Sequence, residues 1–151
     1  MALRERSRRY AALDYLSDPV WVFDIDRRQV HWANAASMKV WSASSLDELC
    51  GRDMGVDMSP AVGMRLAQYQ SDFVSHGASF NEQWCTYPSG TPVLLNVRFS
   101  GHRLPDGRMA MLCEGRVSNV AEPESLRSVE ALLHTAVMIS LYDCDGRPLY
   151  R

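Results

Sequence analysis

Val93-Leu94-Leu95-Asn96-Val97-Arg98-Phe99-Ser100 is the stretch on which the fold reading turns. Val93, Leu95, Val97 and Phe99 alternate with Leu94, Asn96, Arg98 and Ser100. A period of two is that of a strand with one buried face, so this segment belongs to a sheet covered on one side. Outward from it the signals stay β. Pro88-Ser89-Gly90-Thr91-Pro92 is a turn, preceded by a strand over residues 80–87. Gly101 reads as a bulge, and Pro105-Asp106-Gly107-Arg108 turns the chain into a last strand over 109–117.

Upstream, Ser59-Pro60 opens the clearest helix. Serine can cap free amides, and proline suits the first helical position, where its missing N–H is not needed. Val62, Leu66, Tyr69 and Phe73 recur at helical spacing and Gly77 closes the segment. Two shorter helices precede it, over residues 34–41 and 46–50, the second capped by Ser44 or Ser45 and stopped by Gly51. Earlier still, the apolar run 20–23 and the segment 29–32 flank a turn over residues 24–28, which makes a hairpin. A leading helix spans about residues 3–17, with Leu3, Tyr10, Leu13 and Leu16 as its apolar positions, and Ser17-Asp18-Pro19 ends it. Helix, two strands, several helices, three strands is the order of an α+β domain. Its five strands form one antiparallel sheet with helices on one face.

Composition excludes several classes. The 151 residues suffice for one domain with a real core. Content of 46% hydrophobic and 23% charged residues is ordinary for a globular protein, and a net charge of −2 favours no nucleic acid. Arg4, Arg6, Arg8 and Arg9 read as a solvated helix face. No apolar run is long enough to span a bilayer, and the first residues are too charged for a secretory leader. Cys50, Cys85, Cys113 and Cys144 lie far apart without C-x-x-C spacing, which argues for reduced thiols, no zinc site and a cytoplasmic setting.

The motifs in order resemble the PAS domain family. They are Phe23-Asp24-x-Asp26 with Arg28, Asn34-Ala35-Ala36, Glu48-Leu49-x-Gly51-Arg52, Pro88-Ser89-Gly90 and Asp106-Gly107-Arg108. The resemblance spans about residues 10–118. It implies a sensory or dimerisation module, with a cavity between helices and sheet for a ligand or cofactor. It also implies flanking helices that pair in a homodimer and relay a signal to an output such as a histidine kinase or diguanylate cyclase.

A repeat accompanies it. Shifting the sequence by 119 positions lays Ala12-Leu13 on Ala131-Leu132 and Val22-Phe23-Asp24-Ile25-Asp26 on Leu141-Tyr142-Asp143-Cys144-Asp145. A period that long is a domain, not a solenoid unit. The expected organisation is a flanking helix over 1–18, a sensor domain over 19–118, a linker helix over 119–136 and the start of a second unit over 137–151. In the linker, Leu126, Val129 and Leu133 recur at the spacing of a two-helix seam. With Leu3, Tyr10, Leu13 and Leu16 they are the candidate dimer contacts. The strands of the second unit are expected to be poorly anchored or to pair with an edge.

No catalytic or metal-binding constellation stands out, so the chain reads as non-enzymatic. His76 is the one candidate for a haem ligand and reads better as a cation at a helix end; His134 reads as a helix-surface histidine. The photoreceptor branch of the family needs Asn-Cys-Arg, where this chain has Gly51-Arg52-Asp53, so neither haem nor flavin is the expected cofactor. Methionine adapts to varied apolar shapes. Met54, Met58, Met64 and Met111, with Trp41, Tyr69, Trp84, Leu95, Val97 and Phe99, therefore make a candidate lining for a small apolar or aromatic ligand. The same residues suit an ordinary packed core, which would leave a ligand-free dimerisation or spacing module.

Overall fold

The computed structural model describes residues 3–56, 58–86 and 90–118, and the backbone of two short strands at 141–142 and 148–150. Helix α1 (Leu3–Arg9) leads through a 3-10 turn, Ala11–Tyr15, into β1 (Val20–Asp24) and β2 (Gln29–Ala33). Helices α2 (Ala35–Val40), α3 (Leu46–Gly51) and α4 (Pro60–His76) follow, then β3 (Ser79–Thr86), β4 (Val93–Arg103) and β5 (Met109–Val117). The five strands form one antiparallel sheet in the order β2-β1-β5-β4-β3. β5 thus lies between the β1–β2 hairpin and the β3–β4 hairpin, an order that the expected set of five strands leaves open.

The helix boundaries follow local chemistry. Side chains of Asn34, Ser45 and Ser59 cap α2, α3 and α4 by accepting from the amides of Ser37, Glu48 and Val62. Gly77 ends α4 in the left-handed region at φ 58°. Along α4, Leu66 and Phe73 are buried on the sheet's inner face, with Val62 and Tyr69 packed beside them. That face also holds Trp21, Phe23, Val30, Leu95, Val97, Phe99, Met111 and Cys113.

Gly101 is not a bulge. The β4–β5 register runs unbroken from Leu95↔Val117 to Arg103↔Met109, with Gly101 opposite Met111. A Cβ at Gly101 would lie 2.7 Å from Cβ of Phe73, so glycine is required there because α4 packs directly on the strand. The bulge lies instead in the first hairpin, where Val22 pairs with Trp32 but Phe23 pairs with Val30. His31 is the extra residue. One inserted residue reverses the alternation, so Val30 faces the inner core while Trp32 faces the outer one.

The N-terminal segment also departs from expectation. The α-helix stops at Arg9, and Tyr10 is buried on the sheet's outer face with Val20, Val22, Trp32, Leu104 and Ala110. Tyr10, just past the helix, thus docks the segment on the chain's own sheet, while α1 itself buries no residue. The Tyr10 ring lies tilted against Trp32, 4.9 Å away centre to centre, and its hydroxyl meets His102 Nε2 at 2.9 Å. Tyr10 is spent within the domain, and Leu3 and Leu13 are half-buried, while Leu16 stays exposed.

His31 sits in this outer cluster. Its carbonyl, freed by the bulge, accepts from Arg6 Nη1 at 3.3 Å, and its ring stands edge-on to Tyr10. Burial first, then the Arg6 guanidinium, lowers its pKa from 6.5 to about 4; Asp24 opposes this, while His102 and Arg108 add to it. The folded state therefore binds fewer protons than the unfolded chain between pH 6.5 and about 4. Stability contributed by neutral His31 is complete above that window and falls as pH drops through it, by roughly 2 kcal/mol. Thermal melts from pH 7 to 4.5 on wild type and His31→Gln are expected to show the steeper acid loss in wild type. Parallel profiles would refute the assignment.

The strands Leu141–Tyr142 and Pro148–Tyr150, β6 and β7, pair only with each other among the described residues. Their register shifts between Leu141 and Tyr142, 119 positions after the shift between Val22 and Phe23. The linker helix with Leu126, Val129 and Leu133, His134, and residues 137–140, 143–147 and 151 of the expected second unit lie outside the described residues.

Candidate functional site

Two polar clusters tie the motifs of the sequence together. At one end of the sheet, the turns after β1 and after β4 abut because β1 and β5 are neighbours. Arg108 reaches Asp24 Oδ1 at 2.8 Å and Asp106 Oδ2 at 2.8 Å, with Asp26 at 3.7 Å. Its guanidinium holds the Asp106 carboxyl below the usual range. Asp24 is buried and also accepts from the Arg27 amide at 3.0 Å. The Asp-x-Asp and Asp-Gly-Arg motifs are thus two halves of one ion cluster.

Arg52 forms the second. Glu48 grips it at 2.6 Å, and Nη1 donates to the Trp41 carbonyl at 2.8 Å, with Nη2 3.3 Å from the Ser42 carbonyl. Those carbonyls end α2, where Ser42 takes φ 48°. The role of Glu48-Leu49-x-Gly51-Arg52 is therefore to fix the loop that carries Trp41. Gly51 itself has no atom within 4 Å of an added Cβ, so its side-chain space is open.

Trp41 helps line a cavity of about 400 Å³ between the helices and the sheet's inner face. Trp21, Phe23 and Val30 contribute from the first hairpin, Met54 and Met58 from the segment before α4, and Leu66 and Tyr69 from α4. From the β3–β4 hairpin come Glu82 to Thr86 and Leu94, and β5 adds Met111. The wall is mainly apolar and partly open to solvent. Trp21 stands edge-on to Trp41 at 5.9 Å and tilted to Trp84 at 6.3 Å, centre to centre.

Of the ten residues proposed from sequence, Trp41, Met54, Met58, Tyr69, Trp84 and Met111 meet at this cavity. The other four do not line it. Met64 is 70% exposed. It stands about 200° round the helix from Val62 and from Leu66, both on the packed side. Leu95, Val97 and Phe99 are buried beneath the wall. Rings of Tyr69, Phe80 and Trp84 lie over Phe99, 4.8, 5.5 and 5.4 Å away centre to centre, and fill that end of the interior. His76 stands exposed in the last turn of α4 and is not among the lining residues.

Sequence reasoning missed Glu82. Its Oε1 accepts from the Tyr69 hydroxyl and its Oε2 from Trp84 Nε1 at 2.9 Å. A signal existed, since Phe80, Glu82 and Trp84 share one face of β3 by period two. Glu82 pairs with Val97, a residue of the inner core, which places a carboxylate between two aromatics on the covered face. Trp21 was missed too, because its neighbours Val20, Val22 and Phe23 made a continuous apolar run without a distinguishable inner side.

No family model matches the sequence, and no curated protein matches it. Solved structures do match. The PAS domain of nitrogen regulation protein NR(II) from Vibrio parahaemolyticus superposes with a TM-score of 0.56 at 18% identity, covering 78% of this chain and all of that one. A domain of a sensory box sensor histidine kinase/response regulator from Geobacter sulfurreducens gives 0.52 at 24% identity, covering 76% and 96%. VqmA bound to DPO gives 0.53 at 14% identity, covering 76% of this chain and 58% of that one. At these identities the likeness is one of fold. Sheet order, helices on the inner face and these structural matches establish that residues 20–117 fold as a PAS domain.

Proposed function

We propose that this chain is a regulatory sensor module that holds a small apolar or aromatic ligand and relays its presence through flanking helices to an output such as a histidine kinase or diguanylate cyclase. The observation that carries the reading is the cavity of about 400 Å³ walled by Trp21, Trp41 and Trp84. Pockets of roughly 300–1,000 Å³ with apolar, aromatic walls and few polar groups are the usual form of small-molecule sites. A structural neighbour, VqmA, is bound to DPO, which supports the reading by analogy of fold. The route out of the domain is supported by the docking of the N-terminal segment. Asn34 on the sheet side holds the carbonyls of Leu13 and Asp18, so movement of α2 reaches the segment directly.

The same proposal includes homodimerisation through flanking segments. Among the described residues of the N-terminal segment, Tyr15, 91% exposed, and Leu16 are the large apolar side chains left uncovered. It also includes a cytoplasmic setting, a flanking segment over 1–18, the sensor over 19–118, a linker over 119–136, and strands over 137–151 that open a second copy of the fold. The shared 119-position shift in register supports that last assignment.

Native mass spectrometry of freshly purified protein tests both halves. The expected spectrum shows a dimer retaining a small molecule that is lost on collisional activation. A clean apo mass that takes up no aromatic probe would overturn the ligand reading. A monomer mass at every concentration would overturn the dimer.

A further inference from the structure

The following rests on the reading of the cavity as a ligand site and concerns which molecules it accepts. Strand β3 turns Phe80, Glu82 and Trp84 toward the inner core, so a carboxylate stands where the pattern otherwise places an apolar side chain. Burying a carboxylate is costly unless its lone pairs are met by donors. Tyr69 supplies one donor from α4 and Trp84 supplies another from β3, one to each oxygen. A carboxylate offers about four acceptor positions, so Glu82 retains capacity for further donors. Arg65 lines the same cavity and brings positive charge to it. An incoming donor therefore need not be charged itself.

The space sets the rest. A dry cavity of about 150 Å³ holds a single benzene ring, so about 400 Å³ accommodates a two-ring molecule with room for substituents. Indole faces and edges of Trp21, Trp41 and Trp84 offer stacking and edge-on contacts to a flat guest. We infer that Glu82 is the specificity-determining residue of the cavity, which accepts a neutral, flat, two-ring aromatic molecule and selects for an N–H or O–H donor that the guest gives to the Glu82 carboxylate. A guest lacking that donor would displace water from the carboxylate without replacing its hydrogen bond. Sites built to pair a polar group reject such analogues strongly.

Indole and benzofuran provide the test, since they share a bicyclic outline and differ by an N–H against an ether oxygen. Calorimetric titration of the full chain is expected to show indole binding at least about tenfold tighter than benzofuran. Glu82→Leu is expected to erase the preference, leaving the two probes within about threefold of each other, because indole loses its acceptor and benzofuran no longer strips water from a carboxylate. Should that variant fail to melt cooperatively, E82Q serves instead, with the preference for indole cut several-fold at a near-native melting temperature. Equal affinities in wild type, or a preference unchanged in the Glu82 variants, would overturn the donor selection and leave the cavity reading standing. No heat from either probe at millimolar concentration would overturn both.

Discussion

Asn34→Ala is expected to cost about 3–4 kcal/mol and to release the N-terminal segment from the sheet. Asn34 is fully buried and its side chain makes four hydrogen bonds. Its oxygen accepts from the amides of Val20 at 3.0 Å and Ser37 at 2.9 Å; its nitrogen donates to the carbonyls of Leu13 at 3.2 Å and Asp18 at 3.0 Å. Alanine removes the α2 cap, worth about 1 kcal/mol, and leaves the buried Val20 amide without its side-chain acceptor. It also takes a donor from the part-buried carbonyls of Leu13 and Asp18, of which Leu13 keeps the Leu16 amide. Asn34→Asp separates the contributions. It keeps the acceptor for the two amides but loses both donations and puts a carboxylate against two carbonyls. It is therefore expected to destabilise as well, with α2 still capped. Guanidinium unfolding measures the loss, and hydrogen exchange at residues 10–16 reports release of the segment. A loss under about 1 kcal/mol for alanine would mean that the four bonds do not act as a hub.

Val97→Asp is expected to cost roughly 4 kcal/mol or more, and in many conditions to abolish folding. Val97 is 2% exposed in the inner core and stands directly opposite Glu82 on β3. The new carboxylate would lose its hydration and face a like charge across the strand pair. Both effects raise its pKa in the folded state. The folded variant then binds more protons than the unfolded chain, so its deficit relative to wild type shrinks as pH falls toward 5. Wild type moves the other way through His31. Urea midpoints at pH 7 and pH 5 check the crossing trends. A small, pH-independent change would place Val97 outside the packed layer.

These expectations differ in how much of them a reader of the sequence alone could have written. The inward face of β4 follows from four residues at alternate positions. The limits of α4 follow from Ser59-Pro60 and Gly77, whose effects act within one turn of helix. Met64 shows an error that the sequence could have prevented. Chosen by residue type, it lies off the stripe of Val62, Leu66, Tyr69 and Phe73 and so belongs to solvent. Gly101 shows a different failure. Its reading as a bulge was local, whereas its cause is Phe73, 28 positions earlier in the chain, pressing on the strand.

What the sequence by itself determined is the set of elements, their order, their covered faces and the motifs that resemble PAS domains, because periodicity and capping depend on residues a few positions apart. The tertiary structure alone decided that β5 lies between β1 and β4, which joins Asp24 to Arg108 across 84 positions. It alone decided that His31 is an extra residue, turning Trp32 outward to receive Tyr10. It also decided where space remains between the layers. A cavity is what packed side chains fail to fill, and that depends on the shapes of residues from every element that faces it. Period two puts Glu82 and Trp84 on one face of β3, but no local signal brings Tyr69 to them. They meet because α4 crosses the sheet where β3 turns a carboxylate inward, and only the assembled layers set that crossing.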